Sequence, residues 1–316
     1  MLELAAGSIP CTSFSVNGSK NHFEYYRFYD FRDITSNSSS SEPGSPLPRS
    51  LIVSDGSWVN NWTIREEFRE PSTENAIPMA YVKDNIFIEN GALNFVTRRE
   101  NATYQSAAEL DFTAANFTYG SLRVSARVSG NPGAVAGIFT YYNDTQESDV
   151  EVLTRDPPGR THFSNQPTTD DNGDIISGST FNTSSPSYTN WNVYRLDWLP
   201  GQSKWYVDGK QLAKTTVHVP SHESMFILNL WSNAGPFSGS MVSGGSASMQ
   251  VQWIEMAFNA SPSNSAGNTV GGVVCSIDKS LGSPVPTSAA PMITLPDLSL
   301  LGATCVLVPL LFDGLI

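Results

Sequence analysis

Ser121-Leu-Arg-Val-Ser-Ala-Arg-Val128 alternates polar and apolar residues without a break. That is the pattern of a half-buried β-strand, because successive side chains in a strand point to opposite faces. From about Leu51 onward similar runs recur between turn signals, and none has the period of an amphipathic helix. Val135 to Tyr142 is a second strand, and Asn192 to Leu199 a third that stops at Pro200-Gly201. Lys204 to Asp208 follows and ends at Asp208-Gly209, a strong turn dipeptide. Met225 to Trp231 and Met249 to Phe258 complete the set. About a dozen strands joined by short turns predict an all-β fold, an antiparallel sandwich of jelly-roll type. A content rich in Ser, Thr, Asn, Gly and aromatics and poor in Lys suits strands and loops. There is no internal repeat.

The chemistry concentrates in Gln146-Glu-Ser-Asp-Val-Glu-Val-Leu153, which follows the turn residues Asn143-Asp144-Thr145 and so forms one arm of a hairpin. On a strand Glu147, Asp149 and Glu151 share one face, and Ser148, Val150 and Val152 the other. At about 3.3 Å per residue the α-carbons of Glu147 and Glu151 stand about 13 Å apart. Side chains leaning together bring the carboxyl tips to about 5 Å, the separation a retaining glycosidase uses. That reaction needs one ionised carboxylate as nucleophile and one protonated carboxyl as acid. A third carboxylate between them raises its neighbours' pKa and can share a proton with one of them. The plainer reading is a solvated acidic strand face, and the octet alone does not separate the two.

The formal charge of −12 disfavours nucleic acid and anionic membranes as partners, since both attract basic surfaces. Eight Asn-X-Ser/Thr sequons, at Asn17, Asn37, Asn61, Asn101, Asn116, Asn143, Asn182 and Asn259, fit a secreted eukaryotic glycoprotein. The three cysteines suggest neither a zinc site nor a thiol nucleophile. Cys11 and Cys275 flank the central region and are placed to staple its ends by a disulfide, whereas Cys305 sits in an apolar tail. No metal or cofactor is expected.

Three segments are expected. Residues 1–49 read as a leader and a Ser/Pro-rich stretch, Leu4-Ala5-Ala6-Gly7 being either the end of a secretory signal or part of a disordered leader. Residues 50–260 form the domain. Residues 261–316 are a low-complexity tail with an apolar end of about twelve residues, too short to span a bilayer. Small residues, a spacer and that end loosely follow a glycolipid-anchor signal, although Pro309 and Asp313 argue against one.

With the octet placed after Val135-Ala-Gly-Ile-Phe-Thr-Tyr-Tyr142, the chain resembles glycoside hydrolase family 16, and within it secreted fungal members with a concanavalin A-like fold. The family's Glu-X-Asp-X-Glu motif is matched by Glu147, Asp149 and Glu151. Tyr194-Arg-Leu-Asp-Trp198, Trp205-Tyr-Val-Asp-Gly209, Asn229-Leu-Trp-Ser-Asn233 and Gln252-Trp-Ile-Glu-Met256 extend the match in the expected order over roughly residues 50 to 259. The resemblance implies that Glu147 is the nucleophile, Glu151 the general acid/base, and Asp149 the group that hydrogen-bonds and tunes the nucleophile. The motif lacks an extra residue before its second Glu, as in the lichenase-like and transglycosylase branches. Ser148, Thr154 and Phe237 depart from the family: they stand near positions where an apolar residue, a Gly and a Trp are usual.

Further candidates come from the strand faces. Ile227, Asn229 and Trp231 share a face, so Trp231 can stack on a pyranose ring while Asn229 bonds a hydroxyl. Trp191 is expected at a cleft rim, Tyr142 on the side of the acids, and His162 close enough after the motif to contact substrate. For most of these aromatics core packing is the competing role. Together the residues and the resemblance predict a monomeric, secreted, retaining endo-β-glucanase acting on cell-wall β-1,3 or β-1,3/1,4-glucan. A glucan or chitin transglycosylase of the same family and a non-catalytic lectin are the alternatives.

Overall fold

The computed structural model describes residues 11–33, 61–71, 73, 75–260 and 272–287. Residues 1–10, most of the Ser/Pro-rich stretch, the apolar end with Cys305, and the sequon at Asn37 lie outside the described residues. What is described is almost entirely strand, with one short 3-10 turn at Lys83–Asn85.

Hydrogen-bonded pairing runs continuously through sixteen strands, which fold over into two layers. The continuity comes from strands longer than the sequence suggests. Tyr104–Gly130 is a single strand of 27 residues. Its first half pairs with Ser224–Trp231, and its second half with Asn192–Leu199. Ser246–Ala260, 15 residues long, lines the second half along its length. The cleft layer then runs Thr180–Ser184, Arg160–Asn165, Gln146–Leu153, Val135–Asn143, Ser224–Trp231 and the first half of the long strand. The backing layer runs Lys210–Thr215, Gln202–Val207, Asn192–Leu199, the second half of the long strand, and Ser246–Ala260.

Period-2 alternation decides what lies between the layers. Leu122, Val124, Ala126 and Val128 are buried in the core, as the alternating stretch predicts, and meet Ile138, Val150, Val152 and Leu228 from the cleft layer. Large rings close the gap: Phe163 stacks on Trp205 at 5.8 Å, and Phe117 meets Trp198 edge-on at 5.9 Å. Burying such rings contributes about 1.5–3 kcal/mol each. The octet is one arm of a hairpin with Val135–Asn143, as expected.

The division at residues 49 and 260 needs correction. Tyr25–Asp30 pairs with Ser246–Ala260 as an integral strand of the backing layer. A separate four-stranded sheet joins Ser13–Ser15 and His22–Phe23 to Val274–Ser276 and Val285–Pro286. It packs Val16, Phe23 and Ile277 against Leu199 and Ala257, on the outer face of the backing layer. Cys11 and Cys275 are joined by a disulfide, with α-carbons 5.7 Å apart. Arg123 reinforces the attachment by bonding Asp278 at 2.6 Å and Glu255 at 3.2 Å. These terminal pieces are short and rich in polar residues, so their strand character comes from pairing with a distant partner.

Candidate active site

The cleft layer is exposed on its other face, and a cleft of about 580 Å³ opens there. Glu147, Asp149 and Glu151 all line it. The register fixes their neighbours: Tyr141 lies opposite Glu147, Phe139 opposite Asp149, and Gly137 opposite Glu151. The next strand sets Ile227 beside Phe139 and Asn229 beside Gly137. Beyond that, Glu109 lies opposite Asn229 and Asp111 opposite Ile227. Glu109, Asn229, Gly137 and Glu151 thus form one row across four strands.

Gly137 makes the row possible. A β-carbon at this position would sit 2.5 Å from Asn229 Oδ1, so the Asn229 side chain occupies the space a larger residue would fill. Asn229 Nδ2 donates to Glu109 Oε2 at 3.1 Å. Glu109 Oε1 is ion-paired with Arg65 Nε at 2.7 Å, and Asp111 Oδ2 accepts from Arg65 Nη2 at 2.8 Å. Burial, with the charge of Glu109, raises Asp111 to about 6 against the pull of Arg65. Arg69 caps this side of the cleft, with its guanidinium 5.0 Å over the ring of Tyr81.

The three central carboxyls are too crowded and too dry to ionise together. Burial raises Glu147 first, then the charge of Asp149 and a hydrogen bond with it. Asp149, only 3 % exposed, is likewise raised by burial. Hydrogen bonds pull it back: Ser164 Oγ donates to Asp149 Oδ2 at 2.8 Å and Gln166 Nε2 at 3.1 Å, and Glu147 adds a third. Burial and the charge of Asp149 push Glu151 well above the usual carboxylate range. The site therefore retains protons where isolated carboxyls would have lost them, and one is held between Glu147 and Asp149.

Asn229 and Trp231 line the cleft as the strand faces predict. Phe237, 43 % exposed, stacks on Trp231 at 6.4 Å and prolongs its apolar surface. His162 lies opposite Glu151 on the neighbouring strand. Its Nε2 is bonded to Asp156 Oδ2 at 2.6 Å and its ring meets Phe237 edge-on at 6.4 Å, so it stands beside the lining rather than in it.

Two expected residues are elsewhere. Tyr142 does not face the acids: Tyr141 occupies that parity, and one residue further the side chain turns outward, where Tyr142 stacks on His222 at 5.1 Å. Trp191 is not at the rim of the cleft. It precedes a strand of the backing layer, and Arg127 lies 4.6 Å over its indole. Glu109, Arg65, Tyr81 and Tyr141 are cleft residues that the sequence reading missed, with Asp111 behind them as a partner of Arg65. The alternation Glu109-Leu110-Asp111-Phe112 was the available signal for Glu109, since it repeats the pattern of the octet.

The departures from the family pattern have local accounts. Thr154 Oγ1 accepts from Ala134 N at 2.8 Å and donates to Asn131 O at 2.9 Å, closing the loop that leaves the acidic strand. Ser148 is fully buried in the layer's inner face, behind the acids.

A two-layer β-sandwich whose open face carries paired half-buried carboxyls beside an aromatic-walled cleft fits a carbohydrate-cleaving class of protein. The sequence model of glycosyl hydrolases family 16 matches residues 73–255, more than half of the chain, and the chain belongs to that family of glycoside hydrolases. A beta-glucanase of Paenibacillus polymyxa is 29% identical over 151 residues, 46% of this chain and 61% of that protein. A beta-glucanase of Paenibacillus macerans is 29% identical over 150 residues, 45% of this chain and 61% of that protein. The matched part thus spans less than two thirds of the length of these relatives. Among solved structures, the Bacillus licheniformis beta-glucanase superposes with a TM-score of 0.55 at 18% identity, covering 73% of this chain and 97% of that one. The endo-beta-1,3-glucanase of Pyrococcus furiosus gives 0.55 at 16% identity, covering 80% and 100%. These likenesses establish the jelly-roll fold.

Proposed function

We propose that the chain is a retaining endo-β-glucanase, secreted and acting on the β-1,3 or mixed β-1,3/1,4-glucan of cell walls. The observation that carries the reading is the single strand face on which Glu147, Asp149 and Glu151 together line one cleft, where burial raises the pKa of all three. Glu147 attacks the anomeric carbon as a carboxylate. Asp149 accepts its proton as substrate binds, and the bond between them then holds the charged nucleophile in place. Glu151, kept protonated by burial and by the one negative charge that the Glu147–Asp149 pair carries, gives its proton to the departing sugar oxygen. It then takes a proton from the water that releases the glycosyl-enzyme. Trp231, extended by Phe237, offers a ring face to a pyranose, and Asn229 offers a hydrogen bond to a hydroxyl. The names of the Paenibacillus relatives support the glucan assignment. A disulfide fits an oxidising, extracellular compartment.

The test is incubation of the purified chain with lichenan, laminarin and chitin oligomers, beside Glu147→Gln and Glu151→Gln. Shortened products are expected, released first as the β-anomer in proton NMR. Each variant is expected to lose at least about 10²–10⁴-fold in kcat. Elongated products move the assignment to a transglycosylase. Glucan binding by all three proteins without turnover leaves a lectin.

A further inference from the structure

The structure separates four of the sequons into two pairs. Asn61 is buried and its Nδ2 donates to the hydroxyl of Tyr29 at 3.0 Å. Asn259 is buried too, and its Oδ1 accepts from Glu24 N at 3.0 Å. Asn101 and Asn143 are the opposite case. Both are exposed and both begin tight turns that join strands.

Their local geometry is the same. Asn101 Oδ1 accepts from Thr103 N at 2.8 Å and from Thr103 Oγ1 at 3.0 Å. Asn143 Oδ1 accepts from Thr145 N and from Thr145 Oγ1, both at 3.0 Å. Each sequon is therefore closed on itself, the hydroxyl that defines it bonded to the amide it accompanies. Two donors on the amide oxygen draw electron density from the nitrogen and make its N–H more acidic. These contacts span two residues, so they form in a short length of chain without help from the rest of the fold. Nδ2 of each residue donates to nothing among the described residues and faces solvent, so a sugar added there breaks no bond of the native structure.

We propose that Asn101 and Asn143 are N-glycosylation sites and that the glycan at Asn143 stands on the rim of the catalytic cleft. The donor is a lipid diphosphate oligosaccharide. Nδ2 forms a bond to C1 of its first sugar, the bond from C1 to the diphosphate oxygen breaks, Nδ2 releases one proton, and the lipid diphosphate leaves. Asn143 is the consequential site. Tyr141 and Asp144, its neighbours in the same turn, both line the cleft, with Glu147 a few residues on. The hydroxyl of Tyr141 donates to Asp144 Oδ1 at 2.8 Å, which fixes the turn on that rim. The proposal rests on the secretion part of the reading above and not on the catalytic part.

The full chain is translated in the presence of microsomes that supply the donor, and separately secreted from yeast behind a leader. Peptides are then mapped after an amidase that converts each glycosylated asparagine to aspartate. Aspartate at positions 101 and 143, with asparagine retained at 61 and 259, is the expected result. Thr103→Ala and Thr145→Ala each remove one step of gel mobility, whereas Thr103→Ser and Thr145→Ser keep it. Asparagine retained at 101 or 143 in microsome-imported chain overturns the proposal, as does modification at 61 or 259 in folded protein. Lichenan hydrolysis by the same preparations reports on the catalytic reading independently.

Discussion

Asn229 lies where a side chain on Gly137 would be, so the two positions form one device. Alanine at 137 must push the amide off the strand, and with it the bond to Glu109. Gly137→Ala is expected to cost about 1–3 kcal/mol of stability, as overpacking in a tight site does, and to raise KM for glucan. Thermal denaturation and steady-state kinetics read the two effects. Glu151 makes the complementary case. Its folded pKa is raised, so the stability it contributes is complete below the unfolded value and is lost as pH rises through the folded one. Glutamine carries no such loss. Glu151→Gln is expected to be inactive yet more stable by about 0.5–2 kcal/mol, with the margin growing between about pH 5 and 8 in melting curves. The same raised value sets the alkaline limb of kcat/KM above the range of an ordinary carboxylate. The three acids were legible in sequence because they repeat at period two within one octet. Tyr142 was misread by one residue, which on a strand is the whole difference between cleft and solvent.

At the scale of elements, the acidic strand is supported sideways. Arg65, on the chain after the short strand Trp62–Ile64, neutralises Glu109 and Asp111, and Glu109 orients Asn229 beside Gly137. Arg65→Met leaves two nearly buried carboxyls without their cation. Arg65 is itself about a third exposed, so the expected cost is about 1–3 kcal/mol, below that of a fully buried pair. Asp111 protonates at about 6 even with Arg65 in place, so the defect is expected to shrink in acid, and urea melts at two pH values check it. The acidic strand was legible because the turn residues Asn143-Asp144-Thr145 precede it, and two strands of the backing layer because turn dipeptides bound them. The long strand Tyr104–Gly130 was not, because its length comes from serving two layers with different partners in its two halves. Arg65 gave no signal at all, since only pairing across the sheet brings it to the cleft.

Over the whole molecule, the disulfide between Cys11 and Cys275 closes a separation of 264 residues. In the chain-entropy view its removal frees the unfolded state more than the folded one. Cys11→Ser with Cys275→Ser is expected to lose about 2–5 kcal/mol in denaturant unfolding while retaining turnover at low temperature, because the cleft is on the other layer. The pairing was legible from the two cysteines that flank the domain. The strands beside them were not, because segments so short and polar carry no period of their own and depend on each other.

Both ends of the described fold are thus fastened to the back of the sandwich, with the cleft on the far side. A linker joined before Cys11 or after Thr287 leaves from that back surface. Grafted to a bead, a fibre or a scaffold by either end, the protein presents its cleft to the liquid.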